Sequence, residues 1–412
     1  MENFAAIAAE FRNAHAVKQI ANPQELPNAI HDLLNNPTDI GAKGQQISLA
    51  KRGVTTTLAK QLLNLHASAL PRDIHTFSQS LLAPLAYIWG SFARTGKDAR
   101  SLKAPVISLG GITMGGTGKT PMAVWLSERL KAAGLQPAIL TRGYRRQSPH
   151  EEIIVPAGVA APVELTGDEA QIFVQRRVAH LGIDNDRYRV GLKLEELLHP
   201  DIFLLDDGFQ HRHLARSLDI VLIDALDPFG GGSVFPLGRL REPLENLRRA
   251  SAFVLTRAQP GRRTDGVEAE LRKYNPQAPI FRSWVAPVRW RGGSPSGRVA
   301  AFCGLANPNT FWRLLSDLRI DPVLQWSFDD HHKYSCGEAK SMAARALEAG
   351  LEYLVTTEKD YMNWNPRSFE ALGPVKLCWV EVEARFEDEA GFLKLVRQIT
   401  HGTVRENYKS LL

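Results

Sequence analysis

From residue 105 onward the chain alternates short apolar runs with longer stretches in which apolar residues return every three or four positions. The runs 106–109, 138–141, 202–205 and 220–223 are short enough to read as strands, and 121–133 and 168–181 carry a helical period. Strands that are apolar along their whole length and joined by helical crossovers predict a mainly parallel sheet with helices on both faces. Ligands belong at the carboxyl ends of such strands. Farther along, the Pro-, Gly- and Arg-rich stretch 287–298 reads as a linker or an exposed hairpin. Residues 299–304 then read as a strand, 311–318 as a helix and 355–360 as another strand end, which predicts a smaller α/β lobe.

The chain before residue 105 has a different texture. Residues 1–65 read as two or three polar-faced helices broken at Asn22-Pro23 and Asn36-Pro37, and they carry no chemical constellation. Residues 74–93 contain no Lys, Arg, Asp or Glu, hold Phe77, Leu81, Leu82, Leu85, Tyr87, Ile88, Trp89 and Phe92, and are followed by Arg94, Lys97 and Arg100. The strongly apolar part is about 13 residues, short of the roughly 20 that span a bilayer. It reads either as an interfacial helix with aromatic residues at the headgroup level or as an amphipathic helix packed on a core. The expected organisation is a helical appendage at 1–65, a membrane-interface region at 66–100, a core at 101–290 and the smaller lobe at 291–412.

Composition narrows the function classes. The 412 residues, 44% hydrophobic and 23% charged, suffice for two folded domains. With 50 Lys+Arg against 44 Asp+Glu the net charge is +6, and Arg239, Arg241, Arg248 and Arg249 cluster. That balance suits a phosphate-bearing ligand or an anionic membrane surface and is too weak to imply nucleic acid. Cys303, Cys336 and Cys378 lie far apart without CxxC spacing, which argues for a reducing compartment and against a cysteine-rich metal site. The start Met1-Glu2-Asn3-Phe4 lacks the basic-then-apolar pattern of a secretion signal, so a cytoplasmic location is expected.

Two constellations carry chemistry. Thr113-Met114-Gly115-Gly116-Thr117-Gly118-Lys119-Thr120 directly follows an apolar strand. Glycines there let backbone N–H groups converge on phosphate oxygens, Lys119 reaches the outer phosphates, and Thr120 can coordinate Mg²⁺. Thr113 stands where the standard pattern has its first glycine, and the alternative is a tight strand–helix turn with Lys119 as a surface charge. The second constellation, Leu204-Leu205-Asp206-Asp207-Gly208-Phe209-Gln210-His211, puts carboxylates at a strand end, where one must reach the metal or its water shell. His211 and His213 lack a Cys or carboxylate at zinc spacing and are weak metal ligands. Gly167-Asp168-Glu169 opens a helix, where a carboxylate serves as N-terminal stabiliser or as reactive group. Asp329-Asp330-His331-His332-Lys333-Tyr334 supplies histidines in the second lobe. Residues alone leave open a lipid kinase, a P-loop kinase or NTPase acting on a soluble metabolite, and a nucleotide-dependent binding or scaffold protein.

Residues of about 80–400 resemble the tetraacyldisaccharide 4'-kinase family. The resemblance rests on the strand and phosphate loop from Val106 through Pro121, Thr141-Arg142-Gly143-Tyr144, Gly167-Asp168-Glu169, Asp206-Asp207-Gly208-Phe209-Gln210-His211 and Pro236-Leu237-Gly238-Arg239-Leu240-Arg241-Glu242-Pro243. It continues in Phe302-Cys303-Gly304-Leu305-Ala306-Asn307-Pro308, Asp330-His331 and Thr356 with Glu358-Lys359-Asp360. Gly111, Ala170 and Gly231 stand where the family usually has Asn, Pro and Asn. The resemblance implies a P-loop NTPase-like fold and transfer of the ATP γ-phosphate to the 4'-hydroxyl of the lipid A disaccharide precursor.

It further implies ATP on Gly115, Gly116, Thr117, Gly118, Lys119 and Thr120, and Mg²⁺ on Thr120, Asp206 and Asp207. Asp168 is the expected base, His331 its orienting or sharing partner, and Arg241 a holder of anionic groups. The expected partners are the acylated disaccharide lipid and the cytoplasmic face of the inner membrane, with peripheral or monotopic attachment, no nucleic acid and no obligate protein partner. Residues 1–65 resemble the carboxyl-terminal tail of a 3-deoxy-manno-octulosonic acid transferase, without that enzyme's catalytic lobes.

Overall fold

The computed structural model describes residues 11–20, 22–35, 39–50, 99–143, 146, 152–305, 308–330, 332–364 and 366–400. The apolar segment 74–93, Tyr144, Ala306, Asn307 and His331 lie outside the described residues. The chain divides into two compact units, Met1–His66 and Ala67–Leu412. In the first, a 3-10 turn at Pro23–Glu25 leads into α1 (Leu26–Asn35), and α2 (Ile40–Ala50) follows. Asn22 caps that turn: its Oδ1 accepts the Gln24 N–H at 3.1 Å and its Nδ2 donates to Glu25 at 2.8 Å. Proline suits the first position of a helix because its missing N–H would lack a partner there anyway.

The second unit is built on one twelve-stranded sheet. Its strands are β1 (Val106–Gly111), β2 (Pro137–Thr141), β3 (Ile153–Val155), β4 (His180–Ile183), β5 (Ile202–Asp206), β6 (Leu218–Asp224), β7 (Ala252–Thr256), β8 (Ile280–Arg291), β9 (Gly297–Cys303), β10 (Ile320–Ser327), β11 (Tyr353–Thr357) and β12 (Lys376–Phe386). They lie in the order β10-β9-β11-β12-β8-β7-β6-β1-β5-β2-β4-β3, antiparallel only where β3 meets β4 and where β8 meets β12. The helices are α3 (Lys119–Ala132), α4 (Val163–Thr166), α5 (Asp168–Arg176), α6 (Arg187–Leu198), α7 (Asp265–Tyr274), α8 (Asn309–Asp317), α9 (Cys336–Glu348), α10 (Glu358–Met362), α11 (Pro366–Glu370) and α12 (Glu389–Thr400). Strands β1, β2, β5, β6 and β7 are buried along their whole length, which is why their sequences are apolar without alternation.

Two expectations need correction. The helix read over 168–181 stops at Arg176: Arg177 takes φ 54°, and His180–Ile183 is a strand paired with β2, buried from Leu181 on. Val178 and Ala179 join the same apolar cluster as Phe173 and Val174, so the helical pattern runs on past the helix itself. The stretch 287–298 is neither linker nor hairpin at its start. Strand β8 continues to Arg291 against β12, with Pro287 opposite Val382 at a register shift, where a missing donor is tolerated. The chain then turns at Gly292, φ 77°, where an added Cβ would lie 2.2 Å from the Leu377 carbonyl oxygen.

The last helix returns to the first half of the sheet. Trp125 on α3 is fully buried, and its ring centroid lies 4.6 Å from Phe386 and 5.7 Å from Phe392. Phe392, on α12, also meets Phe281 edge-on at 5.3 Å. The helix that follows the phosphate loop is therefore wedged by aromatic residues from the far end of the chain. Phe392→Ala should lower the unfolding free energy by about 3–5 kcal/mol, the usual loss for a buried Phe. Urea unfolding followed by far-UV circular dichroism checks this, and a loss below about 1 kcal/mol would mean that α12 is not part of the core.

Candidate active site

The central strand β1 lies between β5 and β6, with Leu109 opposite Asp206 in the ladder. This register brings the chain leaving β1 beside the carboxylates that end β5. Gly110 makes the fit possible: a Cβ there would lie 2.5 Å from the Phe209 backbone nitrogen. Beyond β1 the loop is stitched to the segment carrying the clustered arginines. Arg241 N–H donates to the Ile112 carbonyl at 2.7 Å, and Met114 N–H donates to the Arg239 carbonyl at 2.7 Å. Gly115 and Gly116 are exposed, and a Cβ on Gly116 would meet nothing within 4 Å.

Helix α3 begins at Lys119. Its N-cap, Gly118, sits at φ 81° and offers no side chain to the first-turn N–H groups. Those donors and the positive end of the helix dipole are arranged as an anion site. Arg257, after β7, clamps the loop from the other side: Nη2 donates to the Gly116 carbonyl at 2.7 Å, and Nη1 pairs with Asp224 at 3.1 Å.

The two aspartates behave differently. Asp206 is buried and accepts from Thr141 Oγ1 at 3.0 Å. Burial, followed by the charges of Asp207 and Glu169, pushes its carboxyl up to about 7. Asp207 adopts φ 50°, uncommon for a residue with a Cβ, and so aims its side chain back at the loop. Lys119 Nζ lies 3.3 Å from its Oδ1 and Arg241 Nη1 2.6 Å from its Oδ2. Burial acts to raise this carboxyl too, but the two cations outweigh it and hold it below the ordinary aspartate range.

Arg241 is itself held. It donates to Gln210 Oε1 at 3.3 Å, and Gln210 Nε2 donates to the Gly111 carbonyl at 3.0 Å and to Glu242 at 2.8 Å. Arg249 pairs with Glu242 at 3.0 Å and lies 4.3 Å from the Phe209 ring centroid. On the other flank Arg187 is 8% exposed and feels the charges of Asp206 and Asp207. His211 is driven down to about 4 by burial and then by Arg187, so it is neutral at pH 7. Sequence reasoning placed Thr141, Gln210 and Glu242 in the motifs that carry the resemblance but gave them no role, and it missed Arg187 and Arg257. The linear signal for Arg187 and Arg257 is their place just after strand ends, β4 and β7.

Asp168 is the first residue of α5 and is 7% exposed, and its Oδ1 accepts the Glu169 N–H at 3.0 Å. The next residue, Glu169, contributes to the upward displacement of Asp206. Asp330 is paired with Lys359 Nζ at 2.6 Å. Lys119, Arg241, Asp206 and Asp207 thus form one cluster, and Glu169, beside Asp168, is near enough for its charge to act on Asp206. Among the described residues no group of three or more His, Cys, Asp and Glu is placed to hold a metal ion. The oxygen set of Thr120, Asp206 and Asp207 fits Mg²⁺, which uses one or two carboxylates and completes its shell with water and phosphate.

Comparison with known proteins identifies what the chain resembles. A family model described as tetraacyldisaccharide-1-P 4'-kinase matches residues 77–401. The chain is 35% identical over 321 residues to a tetraacyldisaccharide 4'-kinase of Syntrophobacter fumaroxidans, covering 74% of this chain and 82% of the relative. It is 37% identical over 297 residues to one from Anaeromyxobacter dehalogenans, covering 68% and 78%. Among solved structures, the "apo" form of LpxK from Aquifex aeolicus in complex with ATP superposes with a TM-score of 0.64 at 28% identity, over 79% of this chain and 100% of that one.

The raised Asp206 carboxyl has a consequence for the ligand-free protein. An unfolded aspartate ionises near pH 4, whereas folded Asp206 keeps its proton to about pH 7. Between these values the folded state binds more protons, so this residue makes stability fall as pH rises from about 4 to about 7, with no further change above. Asp206→Asn has no proton to lose, and its stability relative to wild type should increase across that window. Urea midpoints at about pH 4 and pH 8 measure this, and a difference independent of pH would show that Asp206 ionises normally.

Proposed function

We propose how this chain, which belongs to the tetraacyldisaccharide-1-phosphate 4'-kinase family, divides its reaction among its residues. The reaction moves the γ-phosphoryl group of ATP to the 4'-hydroxyl of the tetraacyldisaccharide 1-phosphate precursor of lipid A. The observation that carries the division is the convergence of Lys119 and Arg241 on Asp207, at 3.3 and 2.6 Å, beside an open glycine loop and a helix N-terminus. Two cations are gathered at a strand end next to a phosphate cradle.

The N–H groups from Gly115 to Thr120 hold the nucleotide phosphates, and Lys119 turns from Asp207 to the β- and γ-phosphate oxygens. Thr120, Asp206 and Asp207 would hold Mg²⁺, which when bound neutralises charge on those oxygens. Asp168 accepts the proton of the 4'-hydroxyl. The freed oxygen bonds to the γ-phosphorus as the bond to the β–γ bridging oxygen breaks, and ADP leaves. An aspartate of ordinary pKa, near 4, is a weak base, so His331 is assigned as its partner in that step. Arg241 and its Gln210–Glu242 support steady the anionic groups. This is mainly positioning and electrostatic stabilisation, as phosphoryl transfer requires.

The acceptor is a lipid, and each CH₂ withdrawn into water costs about 0.8 kcal/mol. Phosphorylation therefore takes place with the acyl chains still in the bilayer, and the enzyme comes to the surface. No described helix is long and apolar enough to cross a membrane. Residues 74–100 are assigned as the interfacial anchor on the cytoplasmic face of the inner membrane, with Leu81, Leu82, Leu85, Trp89 and Phe92 in the interface and Arg94 and Lys97 toward anionic headgroups; Arg100, expected to join them, is instead paired with Asp186 at 2.9 Å and lies over the Tyr188 ring.

The direct test is transfer of labelled γ-phosphate from ATP to the acylated disaccharide in detergent micelles. Lys119→Ala and Asp168→Ala should each stay folded and lose roughly 10²–10⁴-fold in transfer rate; full activity in either variant rejects the role given to that residue. Paired charged substitutions at Leu85 and Trp89 should reduce sedimentation with anionic liposomes and turnover of membrane-presented substrate, while nucleotide binding holds. Unchanged sedimentation would place that segment in the protein core instead.

A further inference from the structure

The helix that begins with the proposed base, Asp168, ends with Arg176, about 12 Å farther along at 1.5 Å per residue. Arg176 reaches the second lobe in a two-pronged contact: Nε to Glu358 Oε1 at 2.7 Å and Nη2 to Glu358 Oε2 at 2.8 Å. The side chains are 10% and 11% exposed, and Arg176 Nη1 also lies 3.4 Å from Glu381, which is 7% exposed and paired with Arg289 and Arg291. Such a fork fixes orientation as well as distance, because both groups are planar and matched at two points.

Glu358 does not stand alone. It opens α10, whose second residue, Lys359, grips Asp330 at 2.6 Å. The third, Asp360, is fully buried and accepts from the Gly304 N–H at 2.8 Å and from the Tyr334 hydroxyl at 2.8 Å. Three consecutive side chains of one short helix thus hold the Asp168 helix, the Asp330 loop and the strand end at Gly304. The packing around Tyr334, with Phe302 at 4.7 Å and Trp364 at 5.3 Å between ring centroids, makes this a fixed body.

We propose that the Arg176–Glu358 fork is a positioning contact for phosphoryl transfer, setting the register of the Asp168 helix against the second-lobe segment that contains Asp330. The proposal rests on the reading of Asp168 as the base. Neither Arg176 nor Glu358 touches the phosphate loop, whose place is set by β1, Arg241 and Arg257. Weakening the fork therefore lowers kcat and leaves nucleotide affinity alone. Misplacement of a reacting group by about 1 Å can cost on the order of 10²-fold in rate.

The test uses the full-length enzyme with ATP and the acylated disaccharide in micelles. Glu358→Gln keeps shape and one acceptor while removing the charge; Arg176→Lys keeps the charge while removing the fork and protects the test if Glu358→Gln folds poorly. Both should reduce kcat by about 10–100-fold, with KM for ATP and ADP affinity within about twofold of wild type. Arg129→Lys provides the comparison, since Arg129 joins α3 to Glu389 and Glu383 at 2.8 and 3.1 Å without contacting α5; its kcat should stay within about twofold.

An unchanged kcat in a folded Arg176→Lys or Glu358→Gln enzyme overturns the proposal. So does an equal loss in Arg129→Lys, or a loss matched by weaker nucleotide binding. Asp168→Asn separates the two ideas. If it abolishes transfer while the fork variants are fully active, the coupling fails and the base assignment stands; if it transfers normally, the base assignment fails by itself.

Discussion

Asp207 is where the site's electrostatics are settled. Partial burial acts to raise this carboxyl, yet Lys119 at 3.3 Å and Arg241 at 2.6 Å hold it below the ordinary aspartate range. Its neighbour Asp206, without a cation in contact, goes the other way and stays protonated to about pH 7. Adjacent residues at one strand end therefore carry different charges in the ligand-free protein, an outcome expected when like charges share a buried site. The arrangement requires Asp207 to leave the strand at φ 50°, and the short approach of Gly110 to Phe209 fixes where that turn lies. The loop, the helix N-terminus and the arginine segment are all built around this point.

Some of this was legible in the linear chain. The phosphate loop was, because glycine spacing, a lysine and a preceding apolar run are local features that survive any tertiary arrangement. The Asp206-Asp207 pair was legible for the same reason, as was the alternation of buried strands and helices. The supporting shell was not. Gln210 bridges the Gly111 carbonyl and Glu242, and Arg257 reaches across 141 positions to the Gly116 carbonyl. Such partners are chosen by the order of strands in the sheet, which residue types do not encode locally. The end of α5 was misread because Val178 and Ala179 pack into the same cluster as the helix face; burial, not helical geometry, produced the pattern.

The core and the smaller lobe expected from the sequence are joined in one twelve-stranded sheet within one compact unit. β8 pairs with β7 on one side and β12 on the other, so a single strand belongs to both halves. After β12 the chain returns to the first half of the sheet. Phe386 and Phe392 pack on Trp125 beneath the phosphate-loop helix, and Arg129 of that helix pairs with Glu383 and Glu389. A core residue such as Trp125 is therefore packed by residues more than 250 positions away.

The arginines at the carboxyl edge of the sheet are gathered closely without leaving a large local net charge. Arg241, Arg249, Arg257 and Arg239 are each matched to a carboxylate, Asp207, Glu242, Asp224 and Asp227 respectively. Pairing lowers the cost of keeping these guanidiniums close together before any ligand arrives, and it fixes their directions. On the division of roles proposed above, an entering polyphosphate meets cations whose directions are already set, so little reorganisation is left for the moment of transfer. Arg257 is the clearest case, since one prong rests on Asp224 while the other holds the loop carbonyl at Gly116. The carboxylates that balance these cations thus fix where they point, which is why acidic residues crowd a segment rich in arginine.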